Sequence, residues 1–134
     1  MKGVAHVDGG ARGNPGPAGY GAILKVAGHT YSRHEYLGRA TNNEAEYQGL
    51  IAALTLARQH GVDDLVVNTD SQLMQRQLIG AYRVKAANLV PLYLEAQRLA
   101  SGFTRFRIVH VRREHNREAD RLANQAIDAG VKGQ

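Results

Sequence analysis

Four of the twelve acidic residues stand where a small number of elements would bring them together. Asp8 and Asp70 each follow a short apolar run, at the point where a strand is expected to end. Glu46 and Asp120 each fall near the start of an expected helix, on the side that carries its apolar residues. Sites on mixed α/β sheets lie beyond the carboxyl ends of the strands. The four side chains are therefore expected to converge at one edge of a sheet.

Such a cluster of carboxylates indicates a site for divalent cations. Close carboxylates repel one another and raise one another's pKa values, so a metal is the usual means of neutralising them. The chain has no cysteine, and an oxygen-only set of donors favours Mg²⁺ or Mn²⁺ over zinc. Four carboxylates suit a two-metal site that clamps the attacking and leaving oxygens of a phosphodiester. We therefore expect two Mg²⁺ ions per site, with Mn²⁺ as the substitute.

Each acid taken singly has an ordinary structural explanation. Asp70 followed by Ser71 is typical of a helix N-cap, and Glu46 is typical of an acid stabilised by a helix dipole. Asp120 is compatible with a surface acid paired with a nearby arginine. For any one acid these explanations are the better ones. Only the joint occurrence of the four acids with their flanking residues favours a site.

The elements that must position these acids follow from hydrophobic periodicity and turn residues. Strands are predicted at residues 4–8, 20–26, 30–36, 64–70 and 106–112, and helices at 43–60, 71–79, 89–100 and 118–129. The order β-β-β-α-β-α-α-β-α predicts an α/β fold, with a mixed five-stranded sheet and helices on both faces. The first and fourth strands are expected to be parallel neighbours or near neighbours.

Composition places the chain among globular proteins able to bind a polyanion. Its 134 residues suit a single domain, residues 1–134, with 43% apolar residues. A net charge of +5 favours nucleic-acid binding and a merely positive surface equally. No apolar run approaches the ~18 residues of a membrane span, and the N-terminus runs into a strand without a signal peptide. The lack of cysteine fits the expected cytoplasmic location.

The segment VDGGARGNPGPAGYGAIL, residues 7–24, is rich in glycine and proline. It is not a dinucleotide-binding loop, because that fingerprint opens directly into a helix, which Pro15 and Pro17 block. Gly9 and Gly10 are expected to let the backbone turn sharply beside Asp8, leaving room for a metal and a ligand. Residues 13–16, GNPG, have the composition of a turn that leads into the hairpin.

Four blocks of the sequence together resemble type 1 ribonuclease H. They are DGGARGNPGPAGYGAIL (8–24), ATNNEAEYQGLIAAL (40–54), NTDSQL (68–73) and NREADRLAN (116–124), and they cover essentially the whole chain in the family's order. The resemblance implies the ribonuclease H-like fold. It also implies an endonuclease that hydrolyses the RNA strand of RNA–DNA hybrids and leaves 5′-phosphate and 3′-hydroxyl ends. A monomer without an obligate protein partner is the expected state.

The resemblance assigns a role to each acid. Asp8 is implied as the ligand that bridges both metals. Asp120 would join it on the metal that activates the attacking water. Glu46 and Asp70 would hold the second metal beside the leaving 3′ oxygen. Histidine is not required as a metal ligand.

The resemblance also implies residues that contact the substrate. The 2′-hydroxyl distinguishes RNA from DNA, and amide side chains can both donate to it and accept from it. The residues implied near the RNA strand are Gly10, Ala11, Arg12, Asn14, Asn42, Glu46 and Gln72. Thr41 and Asn42 are implied in a pocket for a DNA-strand phosphate. The other interpretation of TNN is a helix cap at Thr41 or Asn43, and both can hold because helix N-termini bind phosphate.

One departure from the family's pattern lies in the segment GAYRVKAANLVPLY, residues 80–93. The best-studied bacterial members carry a basic, aromatic-containing protrusion here, and in this chain it is short. Arg83, Lys85 and Asn88 remain as candidates to contact the DNA strand, and Tyr82 is better explained by packing. Weaker and more salt-sensitive hybrid binding is therefore expected.

The other departure is RREHNREAD, residues 112–120. Many members carry a histidine on a longer flexible loop before the last acid, associated with proton transfer or product release. His115 is the candidate for this catalytic role, and Glu114 and Arg113 are alternatives. The competing interpretation makes His115 an exposed turn residue.

Alternatives to a free-standing hydrolase remain open. A catalytically silent hybrid-binding module is disfavoured by the four retained acids. The chain is also compatible with the N-terminal ribonuclease H domain of a longer bifunctional protein, because short-protrusion members occur fused to phosphatase-like domains. A transposase or integrase core is disfavoured by the GNPG and TNN blocks.

Overall fold

The computed structural model describes residues 1–133, and its elements follow the predicted order. The strands are β1 (Lys2–Ala11), β2 (Gly16–Val26), β3 (His29–Ala40), β4 (Asp64–Thr69) and β5 (Arg105–His110). The helices are α1 (Asn42–Gln59), α2 (Gln72–Leu78), α3 (Val90–Ala100) and α4 (Arg117–Lys132). A short 3-10 helix, Arg113–His115, precedes α4 and was not predicted. The predicted α/β fold is confirmed.

One mixed sheet holds all five strands in the order β3-β2-β1-β4-β5. β1 pairs antiparallel with β2, which pairs antiparallel with β3, whereas β4 runs parallel to both β1 and β5. The expected parallel pairing of the first and fourth strands is confirmed. In the β1–β4 register Val7 is opposite Thr69, so the residues that follow each, Asp8 and Asp70, reach the same edge of the sheet.

Helices α1 and α4 pack on opposite faces of this sheet near Asp8. A Cβ atom on Gly9 would overlap the backbone of Ala45 in α1, and one on Gly21 would overlap the backbone of Ala119 in α4. Gly21 is the register partner of Asp8, and successive residues of a strand face opposite sides. The absence of a side chain at Gly9 and at Gly21 thus lets one helix pack closely on each face of the sheet. The prediction of helices on both faces is confirmed.

Gly9 and Gly10 do not form the sharp turn expected from the sequence. They continue β1 and pair with Tyr20 and Gly19 of β2. Gly9 is instead required for the close approach of α1. The chain turns later, after Ala11, where Gly13 has a φ of +90°.

The main core lies between α1 and the sheet, and α3 packs against α1. Its fully buried side chains come from both layers and include Val7, Leu24, Tyr47, Leu50, Leu54, Leu65, Val67 and Met74. Apolar burial of this kind is the main force holding the layers together. None of the helices within residues 1–133 combines the length and apolar composition that a membrane span demands.

The start of α1 is fixed by a capping box. Thr41 Oγ1 accepts a hydrogen bond from the Glu44 N–H at 3.1 Å, and Glu44 Oε1 accepts one from the Thr41 N–H at 2.8 Å. Thr41 is therefore the cap, and Asn43 is not. Because α1 begins one residue earlier than predicted, Glu46 lies just beyond the first turn.

Candidate functional site

All four predicted acids line one cleft of about 790 Å³ beside the end of β4. Asp8 projects from β1, Glu46 from α1, and Asp120 from the first turn of α4, while Asp70 is the first residue after β4. Four elements far apart in sequence therefore contribute one carboxylate each. The predicted convergence is present, although Asp8 lies within β1 and not at its end.

Three of the acids form the centre of the cluster. Carboxylate oxygens of Asp8, Glu46 and Asp70 all lie within 4.8 Å of one another. Asp8 and Glu46 are only 7% and 8% exposed. Glu46 is held by the Gly9 N–H, which donates to Oε1 at 2.6 Å. Asp120 lines the same cleft, and its proximity contributes to the raised pKa of Asp8.

Burial and mutual repulsion make ionisation of the cluster costly. Burial, reinforced by the charge of Glu46 and by the neighbouring carboxyl group of Asp120, raises the pKa of Asp8 to about 9. Burial and the charge of Asp70 raise the pKa of Glu46 to about 8, against the opposing effect of the Gly9 N–H. Burial also raises the pKa of Asp70. In the protein alone, Asp8 and Glu46 therefore favour their protonated forms at neutral pH.

These residues fit a divalent metal. Within residues 1–133 they form the one group of three or more potential ligands whose donor atoms approach within 4.8 Å. Their donors are carboxylate oxygens, the ligands preferred by Mg²⁺ and Mn²⁺. A cation would stabilise the ionised carboxylates that otherwise repel one another, which inverts the pKa pattern of the cluster.

Arg113 is the basic residue whose charge acts on the pKa values of the acidic cluster. It lines the acidic cleft, and its charge opposes the rise in the pKa values of both Glu46 and Asp70. Sequence reasoning had named Arg113 only as an alternative to His115. Arg113 lies seven residues before Asp120 in the sequence. Whether an arginine at that spacing faces the acids depends on the orientation of the 3-10 helix, which the sequence does not predict.

His115 lies in a different place. It is exposed at the end of the 3-10 helix and lines a second cavity of about 260 Å³ with His6 and Glu114. Glu114 is also within 4.0 Å of Arg112. Neither His115 nor Glu114 lines the acidic cleft. This placement favours the interpretation of His115 as an exposed turn residue.

If the chain cleaves hybrids as expected from the sequence, replacement of Arg113 by alanine should lower the cleavage rate at pH 7, because loss of this charge favours the protonated forms of Glu46 and Asp70. A loss of about tenfold corresponds to one unit of pKa. The rise of activity with pH should also move to higher pH, because the remaining acids lose a positive neighbour. His115→Ala, in the same 3-10 helix, is the matched control and should stay within about twofold of the parent rate. Steady-state rates from pH 5.5 to 9 with saturating Mg²⁺ measure both. A tenfold loss in His115→Ala with an unchanged Arg113→Ala would contradict this assignment.

The glycine-rich turn and the start of α1 form one wall of the cleft. Asn42 Oδ1 accepts from the Ala11 N–H at 2.6 Å, and the Asn42 N–H donates to Asn14 Oδ1 at 3.1 Å. Gly10, Ala11, Arg12 and Asn42 line the cleft. These contacts bring together the residues predicted near the RNA strand, apart from Gln72.

Arg12 joins that wall to α4. Its guanidinium group contacts Asp128 at 2.6 Å and donates to Asn124 Oδ1 at 3.5 Å. Asn124 in turn donates through Nδ2 to the Asp120 carbonyl at 3.0 Å. The predicted substrate residue Arg12 therefore also braces the helix that carries Asp120.

The other predicted substrate residues lie outside the cleft lining. Gln72 is exposed at the start of α2, and Thr41 caps α1. Lys85 and Asn88 are exposed in the segment between α2 and α3. Several residues that line the cleft were not predicted as site residues, namely Asn43, His110, Val111, Arg112, Ala123, Asn124 and Ile127. Most of them belong to α4 or to the end of β5. The sequence does not predict how these elements are oriented towards the acids, so it does not identify these residues.

Comparison with known proteins identifies the family of the chain. A family model described as "Reverse transcriptase-like" matches residues 6–126. The bifunctional protein Rv2228c of Mycobacterium tuberculosis is 48% identical over 98% of the chain, which spans only 37% of that protein's length. The solved N-terminal RNase H domain of Rv2228c, fused to maltose binding protein, has a TM-score of 0.95 with 47% identity, and 99% of this chain and 98% of that one are covered.

Two further solved structures are similar over their whole length. RNase H1 of the halophilic archaeon Halobacterium salinarum has a TM-score of 0.91 and 43% identity, covering 96% of this chain and 99% of that one. LC11-RNase H1 in complex with an RNA/DNA hybrid has a TM-score of 0.90 and 38% identity, with 96% and 99% covered. Sheet order and carboxylate cleft thus define an α/β protein with the ribonuclease H-like fold. The chain belongs to the type 1 ribonuclease H family.

Proposed function

We propose that this chain is an endonuclease that hydrolyses the RNA strand of RNA–DNA hybrids and leaves 5′-phosphate and 3′-hydroxyl ends. The observation that carries the proposal is the trio Asp8, Glu46 and Asp70, whose oxygens lie within 4.8 Å of one another. The hybrid bound to the LC11 enzyme, which is 38% identical, supports the choice of substrate.

Two Mg²⁺ ions, or Mn²⁺ as a substitute, are the proposed cofactors. Asp8 would be shared between them, with Asp120 on one side and Glu46 with Asp70 on the other. When bound, such ions supply charge stabilisation at the attacking and leaving oxygens of the phosphodiester. The burial of Asp8 and Glu46 supports Mg²⁺ or Mn²⁺ as the metal, and so does the absence of nitrogen or sulfur donors among Asp8, Glu46 and Asp70.

The protein's own groups orient these ligands and the substrate. The Gly9 N–H fixes the Glu46 carboxylate. Arg113 favours the ionised forms of Glu46 and Asp70. We propose that the Asn14–Asn42–Ala11 wall, with Gly10, Arg12 and Gln72, contacts the 2′-hydroxyls of the RNA strand, because amides match a group that both donates and accepts. Thr41 with Asn42, and separately Lys85 with Asn88, would contact the DNA strand.

The setting of the activity is also part of the proposal. Residues 1–134 would act as one ribonuclease H domain, in the cytoplasm, as a monomer that needs no obligate protein partner. The bifunctional Rv2228c, of which the chain matches 37%, supports the alternative of an N-terminal domain in a longer protein.

One experiment tests the proposed function directly. End-labelled RNA–DNA hybrid, RNA duplex and DNA duplex are incubated with the protein in Mg²⁺, Mn²⁺ or EDTA, and the products are sized and their ends mapped. Cleavage of the hybrid's RNA strand with either metal and none in EDTA is expected. Hybrid binding without cleavage in every metal would instead identify a silent binding module. Cleavage that persists in EDTA would exclude the proposed chemistry.

A further inference from the structure

Asn116 is the residue just before α4, and its side chain does not perform the usual task of that position. An asparagine at a helix N-cap commonly accepts a hydrogen bond from the N–H of the second or third helical residue. Asn116 makes no such bond. Its Nδ2 instead donates to the Val7 carbonyl of β1 at 2.7 Å, across 109 positions of sequence.

This bond is buried and leaves one polar atom without a partner. Asn116 is only 1% exposed. Its Oδ1 has no hydrogen-bond partner among the residues that the structure describes. An unpaired buried acceptor and an unused cap both lower stability. Local stability therefore does not explain an asparagine in this conformation, and the bond to Val7 does.

The bond joins the two elements that carry Asp8 and Asp120. The Val7 carbonyl belongs to the peptide unit that leads directly into Asp8. The backbone carbonyl of Asn116 accepts from the Asp120 N–H at 3.1 Å, in the first turn of α4. One residue thus connects the backbone beside Asp8 with the backbone of Asp120. Both carboxyl groups line the same cleft.

We propose that Asn116 is a positioning residue that sets the distance between Asp8 and Asp120 by clamping the first turn of α4 to β1. The inference rests on the proposed function, because it concerns the site of hybrid hydrolysis. Asn116 lines the second cavity and not the acidic cleft. It therefore acts through the two acids and has no direct contact with substrate.

Asn116→Ser is the variant that separates this role from helix capping. Serine is a good N-cap residue, yet it is too short to reach the Val7 carbonyl. At saturating Mg²⁺ and well below the melting temperature, kcat is expected to fall at least tenfold while KM for the hybrid stays within about twofold. Binding of Mg²⁺ to the free protein, measured by calorimetry, should weaken several-fold because the two ligands are no longer held at their spacing.

Asn68→Val is the matched control. Asn68 also donates from Nδ2 to a β1 carbonyl, that of Ala5 at 3.2 Å, but it lies on β4 and not at the start of α4. Valine keeps the strand propensity of the position. This variant should lose a similar amount of thermal stability and retain parent values of kcat and of Mg²⁺ affinity. Equal kcat values per folded molecule in Asn116→Ser and Asn68→Val would overturn the proposal.

A second variant covers the case in which Asn116→Ser does not fold. Asn116→Asp keeps the shape and the capping capacity of the side chain but has no N–H to donate to Val7. It is expected to lose kcat as well, and a parent kcat in this variant would overturn the proposal. Hydrogen exchange of the first turn of α4, which should quicken in both variants, does not depend on cleavage. If the parent protein fails to cleave hybrid, the proposed function fails, while calorimetry and exchange still test the clamp.

Discussion

Asp8→Asn is expected to reduce hybrid cleavage by at least about 10³-fold, because Asp8 is the proposed shared ligand of two ions, and loss of such a ligand would remove several kcal/mol of charge stabilisation. Asparagine is nearly isosteric and neutral, so the fold should be kept. Initial rates in Mg²⁺ and in Mn²⁺ measure the loss, and circular dichroism checks the fold. Retention of more than about a tenth of the parent rate would exclude Asp8 from the central role.

The same substitution should stabilise the metal-free protein at neutral pH. Burial raises the pKa of Asp8 to about 9, so the ionised carboxylate is disfavoured in the folded state. Asparagine removes that cost, and the gain in unfolding free energy at pH 7.5 in EDTA should be on the order of 2 kcal/mol. The control is Asp63→Asn, an exposed acid whose pKa is lowered by hydrogen bonding to the N-terminal ammonium group. Asp63→Asn should neither reduce cleavage nor raise the melting temperature.

The second large effect concerns the pH dependence of stability without metal. Asp8 and Glu46 have folded-state pKa values of about 9 and 8, whereas those of the unfolded chain are near 4. A raised carboxyl pKa contributes stability that is fully present below the unfolded value and is lost as pH rises through the folded value. In EDTA, the melting temperature should therefore increase by roughly 5 to 10 °C as pH falls from 8.5 to 5.5.

Saturating Mg²⁺ should flatten or reverse this trend. Metal binds the ionised carboxylates and stabilises the folded state more at higher pH. Asp8→Asn in EDTA should also show a shallower slope than the parent protein. Thermal melts across the pH range, with and without Mg²⁺, give both slopes. A metal-free protein that becomes more stable as pH rises from 5.5 to 8.5 would contradict the cluster described here.

The order of elements and the convergence of the acids were predictable because both depend on local patterns. Apolar alternation places the strands, and the parallel pairing of β1 with β4 brings Asp8 beside Asp70. The predicted end of the first strand at Asp8 was wrong, because β1 continues to Ala11. The 3.6-residue period likewise turned Glu46 towards the sheet. The resemblance to the family supplied the roles of these residues, which the periodicity did not contain.

Features that depend on close packing between distant elements were not predictable in the same way. Gly9 is compatible in sequence with a turn or with a tight helix contact, and only the position of α1 decides between them. The choice between Arg113 and His115 depends on the rotation of a three-residue helix. The sequence carries no signal for the bond of Asn116, because its partner, Val7, lies 109 residues away.

Gly9 and Gly21 set the approach of two different helices to the acidic cluster, α1 and α4 respectively. The place of a Gly9 side chain is taken by α1 at Ala45 and Glu46, and the place of a Gly21 side chain by α4 around Ala119. Alanine at position 9 would displace α1, and alanine at position 21 would displace α4. The sheet lies between the two helices, so each substitution should leave the other helix in place. The spacing of Glu46 and that of Asp120 from Asp8 can therefore be tuned independently, through backbone positions that bear no functional group.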